Sequence, residues 1–351
     1  MKRIRVYKKK RISKKFKRVL RIYIGIIAAV VITVMGILCF SSSGNVKSKN
    51  IEKVKGFTLD SECISKGIIK VDKIKVYRTA SGSIEELTLE DYVKGVVSAE
   101  MPANFDVEAL KAQAVAARTF AVNKIIRHCP KGQNADICDS THCQVYMDKK
   151  KRISSWGKNA DSLYKKVCTA VDETAGQVIT YDGEIITHPQ YFAVSSGKTE
   201  DSVDVFNRDI PYLKSVSSTG EDIAPKYKSN KSIPYSQFVR IVKNSYGDTG
   251  INSSNLSSKV KVLSNTKSGA VKEIQIGSKK ISGIKFRSLF NLNSSYFKLS
   301  FNNGKVIISC TGYGHNTGMS QWGANVMAKS GKKYDEILEH YYEGTKIQKI
   351  K

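Results

Sequence analysis

The sequence predicts an α+β fold in which helices surround one acidic residue, strands flank them and a small strand-rich segment is inserted. Residues 88–123 have the apolar spacing of two helices with one short break between them. Alternating apolar and polar residues, which are typical of strands, occur in residues 68–79 and 177–201. Residues 228–300 combine similar alternating runs with one short amphipathic helix, and we interpret them as an inserted subdomain.

The N-terminal region has the pattern of a membrane anchor. Residues 1–21 carry twelve Lys or Arg and no acid, and the uncharged residues 22–40 follow directly. As a helix, residues 22–40 would span about 28 Å, close to the hydrocarbon thickness of a bilayer. The basic flank predicts a cytoplasmic N-terminus and an extracytoplasmic remainder, in which a linker, 41–66, precedes a catalytic domain, 67–351. A cleaved signal peptide is the alternative, but its apolar region would usually be shorter.

The charge is strongly positive outside the anchor as well. The chain carries a net charge of +27, and +15 remains when the twelve charges of residues 1–21 are set aside. Such a domain favours polyanions of the wall or anionic lipids. Nucleic acid is excluded as a partner because the anchor places the domain on the other side of the membrane. A generally solvated basic surface is the simpler alternative.

The first predicted helix has one apolar face that ends at Glu100. The apolar residues of that face are Leu89, Tyr92, Val93, Val96 and Val97. Glu100 falls roughly 20° from Leu89 on the helical wheel, in the middle of this stripe. Pro102 predicts that the helix ends near Glu100. Asp106 then serves as the N-cap of the second helix, whose face is rich in alanine.

The position of Glu100 favours a protonated carboxyl group. An apolar environment and the negative end of the helix dipole both raise the pKa of a carboxyl group. A general acid that works near neutral pH needs such a raised pKa. An ordinary carboxylate at a helix end, paired with backbone groups or an arginine, is the alternative interpretation.

A cluster of Cys and His residues follows the helix pair. It consists of His128, Cys129, Cys138, His142 and Cys143. This spacing suits a tetrahedral zinc ion with a structural role, and we predict Cys138, Cys143, His128 and Cys129 as ligands, with His142 as a further candidate. A Cys138–Cys143 disulfide is the alternative in an extracytoplasmic domain. We expect no organic cofactor.

Residues 177–201 are predicted to form a hairpin with its turn at Asp182-Gly183. Ser195 and Ser196 place small polar groups at its end. Ser195 and Lys198 also form an S-x-x-K sequence, but acyl transfer would require a helix here and further motifs that are missing.

The last informative stretch is CTGYGHNTGMSQWGANVMAKSG, residues 310–331. Its glycines allow a tight loop before a helix that starts near Met319. We interpret it as a sugar-binding loop because His315, Gln321 and Trp322 offer an imidazole, an amide and an aromatic face. Nucleophilic catalysis by Ser320 with His315 is the alternative, but a serine at a helix start is more often a cap. An amphipathic helix in YDEILEHYYEG closes the domain.

Three blocks together resemble a known family. GVVSAEMP with EALKAQAVAARTFA, then CQVY, then GYGHNTGMSQWGA are similar to the stage II sporulation protein D family. The resemblance covers roughly residues 67–345. One departure is Asn316, since the family usually has glycine directly after the loop histidine.

The resemblance implies a membrane-anchored lytic transglycosylase that acts on peptidoglycan during forespore engulfment, from the mother-cell membrane facing the forespore. Its substrates would be glycan strands whose stem peptides a partner amidase has removed, and a membrane scaffold protein would be a second partner. The glutamate of the AEMP sequence, here Glu100, would be the catalytic acid. Clostridial members of the family bind zinc in the corresponding Cys/His loop.

A transglycosylase uses the C6 hydroxyl of the substrate as nucleophile, so a second catalytic carboxylate is not required, in contrast to two-carboxylate hydrolases. The residues that we expect to bind the glycan are Gln144, Tyr146, Ser195, Ser196, His315, Ser320 and Gln321. Two other functions remain open: a non-catalytic wall-binding module that recruits other enzymes, and a hydrolase in which Asp106, Glu108 or Glu200 activates water.

Overall fold

Two consecutive helices, α1 (Leu89–Glu100) and α2 (Val107–Arg127), lie at the centre of the fold. The structure is a computed structural model, and it describes residues 71–350. Helix α1 ends at Glu100, as Pro102 in the sequence predicts. These helices and their neighbours form a mixed α+β fold, in agreement with the predicted class.

The other elements follow in chain order. The remaining α-helices of the described residues are α3 (Lys149–Trp156), α4 (Ala160–Glu173), α5 (Ser202–Phe206), α6 (Tyr235–Tyr246), α7 (Leu256–Lys259), α8 (Gly283–Leu289), α9 (Gln321–Lys329) and α10 (Tyr334–Tyr341). The strands are β1 (Lys73–Arg78), β2 (Ser83–Thr88), β3 (Ile137–Cys138), β4 (Gln177–Tyr181), β5 (Glu184–Ile185), β6 (Tyr191–Phe192), β7 (Gly197–Lys198), β8 (Ser217–Ser218), β9 (Lys228–Pro234), β10 (Val260–Asn265), β11 (Val271–Ile276), β12 (Lys279–Ser282), β13 (Phe297–Asn302), β14 (Lys305–Thr311), β15 (Met319–Ser320) and β16 (Lys346–Lys349).

Local capping fixes where the two central helices begin. The Thr88 hydroxyl accepts a hydrogen bond from the Asp91 amide at 3.1 Å, and the Asp106 carboxylate accepts one from the Glu108 amide at 3.0 Å. Each cap satisfies an amide that has no partner inside its helix. The capping residues Thr88 and Asp106, which can be recognised in the sequence, therefore determine where both helices begin.

Helix α2 contacts α1, α4, α9, α10 and β4. Its alanines are fully buried, among them Ala114 and Ala117, so these neighbours approach its backbone closely. Arg118 is buried in the same region, and its guanidinium forms a bidentate pair with Glu90 at 2.9 and 2.6 Å. Because a buried charge is costly unless it is paired, this contact fixes α1 against α2.

Small sheets bring distant loops next to the end of α1. Strand β3 pairs with β1 in parallel, which places Cys138 beside Tyr77. Strand β15 pairs with β6 in parallel, which places Met319 beside Tyr191 and Ser320 beside Phe192. Strand β4 is the centre of a further sheet with the order β16-β4-β5.

The predicted hairpin of residues 177–201 is shorter in the structure. Strands β4 and β5 pair across Asp182-Gly183, where both residues have positive φ as a type I′ turn requires. The chain then leaves this sheet, and β6 pairs with β15 instead. The hairpin therefore ends at Ile185, because the later residues find their partners in a distant loop.

Residues 228–311 build a second hydrophobic cluster, separate from the one around α2. Its sheets have the orders β10-β11-β12 and β13-β14-β9. Phenylalanine rings fill its centre, with Phe238 stacked on Phe290 at 4.5 Å and Phe286 stacked on Phe297 at 4.8 Å between ring centroids. The interpretation of residues 228–300 as an inserted subdomain stays a prediction.

The predicted basic segment 1–21, the predicted transmembrane helix 22–40 and the predicted linker 41–66 lie outside the described residues. Within residues 71–350, no helix combines the length and apolar character that crossing a bilayer requires.

Candidate active site

A cleft of about 470 Å³ opens at the C-terminal end of α1. Its walls come from four parts of the chain: the end of α1, the Cys/His loop, the segment around β6 and the loop before β15. The lining residues are Glu100, Phe120, Thr141, His142, Cys143, Val145, Pro189, Gln190, Tyr191, Phe192, Ala193, Arg287, Tyr313, Gly314, His315 and Gln321. Glu100 is the only carboxylate among them, so it is the only carboxyl group in this lining that can act as a general acid.

Hydrogen bonds orient the Glu100 carboxyl group. The Val145 backbone amide donates to its Oε1 at 2.9 Å, and the Gln321 side chain hydrogen-bonds the same carboxyl group. Burial raises the pKa of Glu100 above its ordinary value, while these two hydrogen bonds act in the opposite direction. The carboxyl group is thus half-buried, held in place and disposed to carry a proton.

A second arm of the cleft, about 240 Å³, also borders Glu100. The two arms share Glu100, Ala193, Tyr313 and Gln321. The second arm adds Pro102, Val194, Pro225, Lys226 and Trp322. Glu100 therefore lies where the two arms meet, and a polymer that runs through both arms would have one of its linkages beside this carboxyl group.

Among the predicted glycan-binding residues, Gln321 and His315 line the cleft. The His315 Nδ1 accepts a hydrogen bond from the Thr317 amide at 3.2 Å, and the ring also hydrogen-bonds the backbone of Tyr191. Burial lowers the pKa of His315 to about 4, and the positive charge of Arg287 acts in the same direction. Both ring nitrogens are thus engaged, and the imidazole is a neutral wall of the cleft.

Two of the predicted residues lie behind the cleft wall instead. Gln144 is buried and donates to the Tyr191 hydroxyl at 2.9 Å, so it positions a tyrosine that does line the cleft. Tyr146 stacks on Tyr92 at 5.4 Å between ring centroids, with the Arg78 guanidinium 4.7 Å from its own centroid. Neither Gln144 nor Tyr146 is among the residues that line the two arms.

Ser195 and Ser320 converge on a buried acid, Glu221, rather than on the cleft. The Ser320 hydroxyl and the Ser195 amide donate to Glu221 Oε2 at 2.6 and 2.7 Å, and the Ser218 hydroxyl donates to its Oε1 at 2.5 Å. Ser320 also caps α9 by accepting from the Gly323 amide. The pair therefore stabilises the loops behind the cleft, and neither serine lines either arm. The predicted contact of both serines with the glycan stays a prediction.

Ser196 lies elsewhere as well. Its hydroxyl accepts a hydrogen bond from the Asn316 amide nitrogen at 3.3 Å and faces a separate pocket along β9 and β14. Asn316, at the position where glycine is usual, has φ +66°, which is in the left-handed region that asparagine tolerates. The loop shape is thus compatible with this departure.

The sequence did not single out several residues that shape the cleft. Tyr313 is an exposed aromatic ring that belongs to both arms, and Arg287 reaches the cleft from the second hydrophobic cluster. The Val145 amide is a backbone donor that no reading of side chains would reveal. Of these, only Tyr313 could have been recognised from the sequence as a residue of the cleft, because it stands between two glycines in the loop that was interpreted as sugar-binding.

Four side chains of the Cys/His loop form a compact candidate metal centre. The ligand atoms of Cys129, Cys138, His142 and Cys143 all lie within 4.8 Å of one another. The sulfurs of Cys143 and Cys129 lie 3.4 Å apart, and those of Cys129 and Cys138 lie 3.8 Å apart. In a tetrahedral zinc site with Zn–S bonds of about 2.3 Å, neighbouring ligand atoms lie roughly 3.5–3.8 Å apart. The donor set therefore fits a zinc ion, and all three cysteines are free thiols rather than a disulfide.

The structure places His142, not His128, with the three cysteines. His142 Nδ1 lies 3.4, 3.7 and 3.5 Å from the sulfurs of Cys129, Cys138 and Cys143. His128 is the C-cap of α2, and its exposed ring lies 3.1 Å from Asp136. The predicted ligand set is corrected in this respect: the end of α2 directs His128 away from the loop interior.

Comparisons with known proteins agree with these features. The family model described as stage II sporulation protein matches residues 77–181, which contain Glu100 and the Cys/His loop. Stage II sporulation protein D of Bacillus subtilis (strain 168) is 39% identical over 278 residues, which is 78% of each chain. The protein of the same name from Bacillus amyloliquefaciens is 36% identical over 276 residues, again 78% of each chain. The amidase enhancer of Bacillus subtilis (strain 168) is 29% identical over 302 residues, 73% of this chain and 40% of the relative. The chain described here belongs to the stage II sporulation protein D family.

Proposed function

We propose that this protein is a lytic transglycosylase that cleaves peptidoglycan during sporulation. Protonated Glu100 donates its proton to the glycosidic oxygen between MurNAc and GlcNAc, and the C1–O bond breaks to leave an oxocarbenium-like centre. The resulting carboxylate then takes the proton of the C6 hydroxyl of the same sugar. That oxygen closes on C1, which gives a 1,6-anhydro end and restores protonated Glu100.

The observation that carries this proposal is a cleft whose two arms meet at a single carboxyl group. Glycoside hydrolases usually place a second carboxylate on the other side of the bond, where it attacks C1 or activates water. The described residues that line the two arms include Glu100 and no other acid. An internal nucleophile of the substrate would make a second acid unnecessary.

The three acids considered for a hydrolase have other roles in the structure. Asp106 caps α2. Glu108 is buried between the Lys111 ammonium at 2.9 Å and the Tyr334 amide at 3.0 Å. Glu200 is 3% exposed in a neighbouring pocket, where burial raises its pKa to about 7. Their positions favour the transglycosylase over a hydrolase.

In this proposal Cys129, Cys138, His142 and Cys143 would hold a zinc ion, which would supply a structural cross-link. The loop that it closes continues directly into Val145, whose amide orients Glu100. The chain's own residues thus connect the metal centre to the acid through two peptide units. No step of the reaction is assigned to the metal.

The setting proposed for the reaction follows from family membership and from the sequence of the N-terminal region. Residues 22–40 would anchor the protein in the mother-cell membrane, with the catalytic domain facing the forespore. Its substrates would be strands that an amidase has stripped of stem peptides, and a membrane scaffold would hold the two enzymes together. A relative named amidase enhancer supports a connection with amidase action.

That relative also favours one second candidate, a non-catalytic module that binds the wall and assists an amidase. The two functions differ in what they require of Glu100. A binding module needs the cleft but no proton transfer.

The experiment is the cleavage of stripped glycan strands by the Glu100→Gln variant. We expect cleavage to fall by about 100- to 10,000-fold, with the melting temperature retained, because the amide keeps the shape but cannot donate the proton. Glu339→Gln, which removes an exposed carboxylate from α10, is the matched control. Cleavage by Glu100→Gln at the wild-type rate would overturn the proposal.

A further inference from the structure

Arg287 is a cation in the wall of the cleft without an anionic partner. It lies in α8, which belongs to the second hydrophobic cluster, and it is half-buried. Its Nε donates to the Leu292 carbonyl at 3.2 Å, which holds the guanidinium at the cleft. Among residues 71–350, no carboxylate lies within 4.0 Å of this guanidinium, in contrast to Arg118, which is paired with Glu90.

The environment of Arg287 favours an external anion. Taking a charge partly out of water is costly unless a counter-ion compensates for it. His315, its neighbour in the cleft, stays neutral. It therefore does not compete with the guanidinium for an anion, and it carries no negative charge that could pair with the guanidinium. Glu100, the only acid of the cleft lining, is itself disposed to be protonated. Arg287 also lines a neighbouring pocket with Glu200 and Asp204, but these carboxylates contact Thr266 and Lys272, and neither lies within 4.0 Å of the guanidinium. In the described residues, Arg287 thus places in the cleft a positive charge that has no ion-pair partner.

Lys226, the other cation of the cleft, has a different environment. It is exposed in the second arm, and its ammonium lies 4.9 Å from the centroid of the Tyr313 ring. Water and salt screen such a charge. Arg287 is the better anion site because it is more buried and because a planar guanidinium can bind a carboxylate through two parallel hydrogen bonds.

The proposed substrate contains one anion of this kind. The lactyl ether of a MurNAc residue ends in a carbonyl that is amide-linked to the stem peptide, and removal of the peptide by an amidase leaves a free carboxylate there. The alternating GlcNAc residues carry no charge. A carboxylate therefore marks a stripped strand, and an intact strand presents a neutral amide and a bulky peptide in the same place.

We propose that Arg287 binds the free lactyl carboxylate of MurNAc and that this contact selects strands without stem peptides. The proposal rests on the proposed function for the identity of the polymer. A site with a buried polar group discriminates strongly against a ligand that leaves this group unpaired. Selection would thus follow from the unpaired guanidinium itself, in addition to any steric exclusion of the peptide.

The test measures binding rather than cleavage, with the full-length protein in detergent and with Glu100→Gln as the parent so that the strands stay intact. Three ligands of equal length are compared: stripped strands, stripped strands whose carboxylates are converted to methylamides, and strands with stem peptides. We expect the parent to bind stripped strands about 10- to 100-fold more tightly than the methylamides. Arg287→Gln in this parent should remove that difference.

Arg240→Gln, which removes the same charge from the exposed face of α6, is the matched control and should keep the difference. Arg287→Lys serves if the glutamine variant fails to fold, and it should keep only part of the preference because an ammonium cannot form the two parallel hydrogen bonds. Equal affinity of the parent for the acid and methylamide strands, or an unchanged preference in both Arg287 variants, would overturn the proposal. Because the readout is a Kd, these results are independent of whether the wild type forms anhydro products.

Discussion

At the scale of single residues, the proposed reaction depends on how Glu100 keeps a proton. Burial raises the pKa of its carboxyl group. The Val145 amide and the Gln321 side chain hold the group in one orientation, but their hydrogen bonds lower this pKa again in part. Orientation and proton retention therefore oppose each other at this carboxyl group. A general acid needs both, so the pH dependence of cleavage should report on their balance.

Replacing Gln321 by methionine should move the alkaline limit of activity to higher pH. The hydrogen bond from Gln321 lowers the pKa of Glu100, so its loss raises this pKa, and the protonated form persists to higher pH. The pH profile of kcat/KM on stripped strands measures the shift. Gln237→Met, at an exposed position of α6, should leave the profile unchanged. An unmoved or lowered limit would mean that another group titrates.

The metal centre offers a second test at this scale, because two histidines, His128 and His142, lie near its cysteines in the sequence and only His142 lies with them in the structure. His142→Ala should lose bound zinc and lower the melting temperature, since it removes one of the four donors. His128→Ala should retain about one zinc per chain, because its ring contacts Asp136 outside the centre. Elemental analysis of the purified variants measures this. Loss of zinc from the His128 variant alone would contradict the ligand set.

At the scale of elements, the contact between α1 and the segment after the metal centre positions the acid. Gly95 lies inside α1, and a Cβ atom at this position would lie 2.3 Å from Tyr146 Cε2 and 2.9 Å from the Met147 carbonyl oxygen. Real Cβ atoms do not approach so closely. The glycine therefore allows the segment that carries Val145 to lie directly against the helix that carries Glu100.

Gly95→Ala should destabilise the protein by about 1–3 kcal/mol, even though alanine is the better helix former by about 1 kcal/mol. Displacement of Tyr146 would also move the Val145 amide, so we expect cleavage to fall as well. Combining the change with Tyr146→Ala should recover part of the stability, because the ring that the new methyl group meets is gone. Unfolding in denaturant measures the stability of the single and the double variant. A Gly95→Ala variant as stable and active as wild type would show that this contact does not matter.

The same elements show how far local sequence determines the fold. The bounds of α1 and α2 were predictable because Thr88, Pro102 and Asp106 act on their immediate neighbours. The short hairpin and the choice of His142 were not, because they depend on pairing between strands far apart in the chain, β6 with β15 and β1 with β3. Glu221 carried no signal in the sequence either, although serines at positions 195, 218 and 320 converge on it.

At the scale of the whole molecule, the positive charge and the cleft act together on an anionic wall. The chain carries +27 in total, of which twelve charges lie in residues 1–21. Stripped glycan, as proposed here, is itself a polyanion. Long-range attraction would therefore concentrate the protein on its substrate, and Arg287 would supply the short-range recognition.

Binding of the full-length protein to purified cell wall should therefore weaken markedly as salt rises from about 0.1 M to 1 M, where the screening length falls from about 10 Å to 3 Å. The fraction of protein that sediments with the wall at each salt concentration measures this binding. Neutral GlcNAc oligomers should bind with little dependence on salt. Wall binding that is insensitive to salt would mean that apolar and hydrogen-bonding contacts dominate.

In the proposed reaction a lone carboxyl group cleaves the glycan with the substrate's own hydroxyl as nucleophile, and mass spectrometry of the products shows whether this happens. Stripped strands are incubated with the full-length protein, and the new ends are identified. We expect products lighter by one water than hydrolysis products, with 1,6-anhydro ends and no reducing end. Products with a free reducing end would contradict it, since they require activated water and a second acid that the described cleft does not provide.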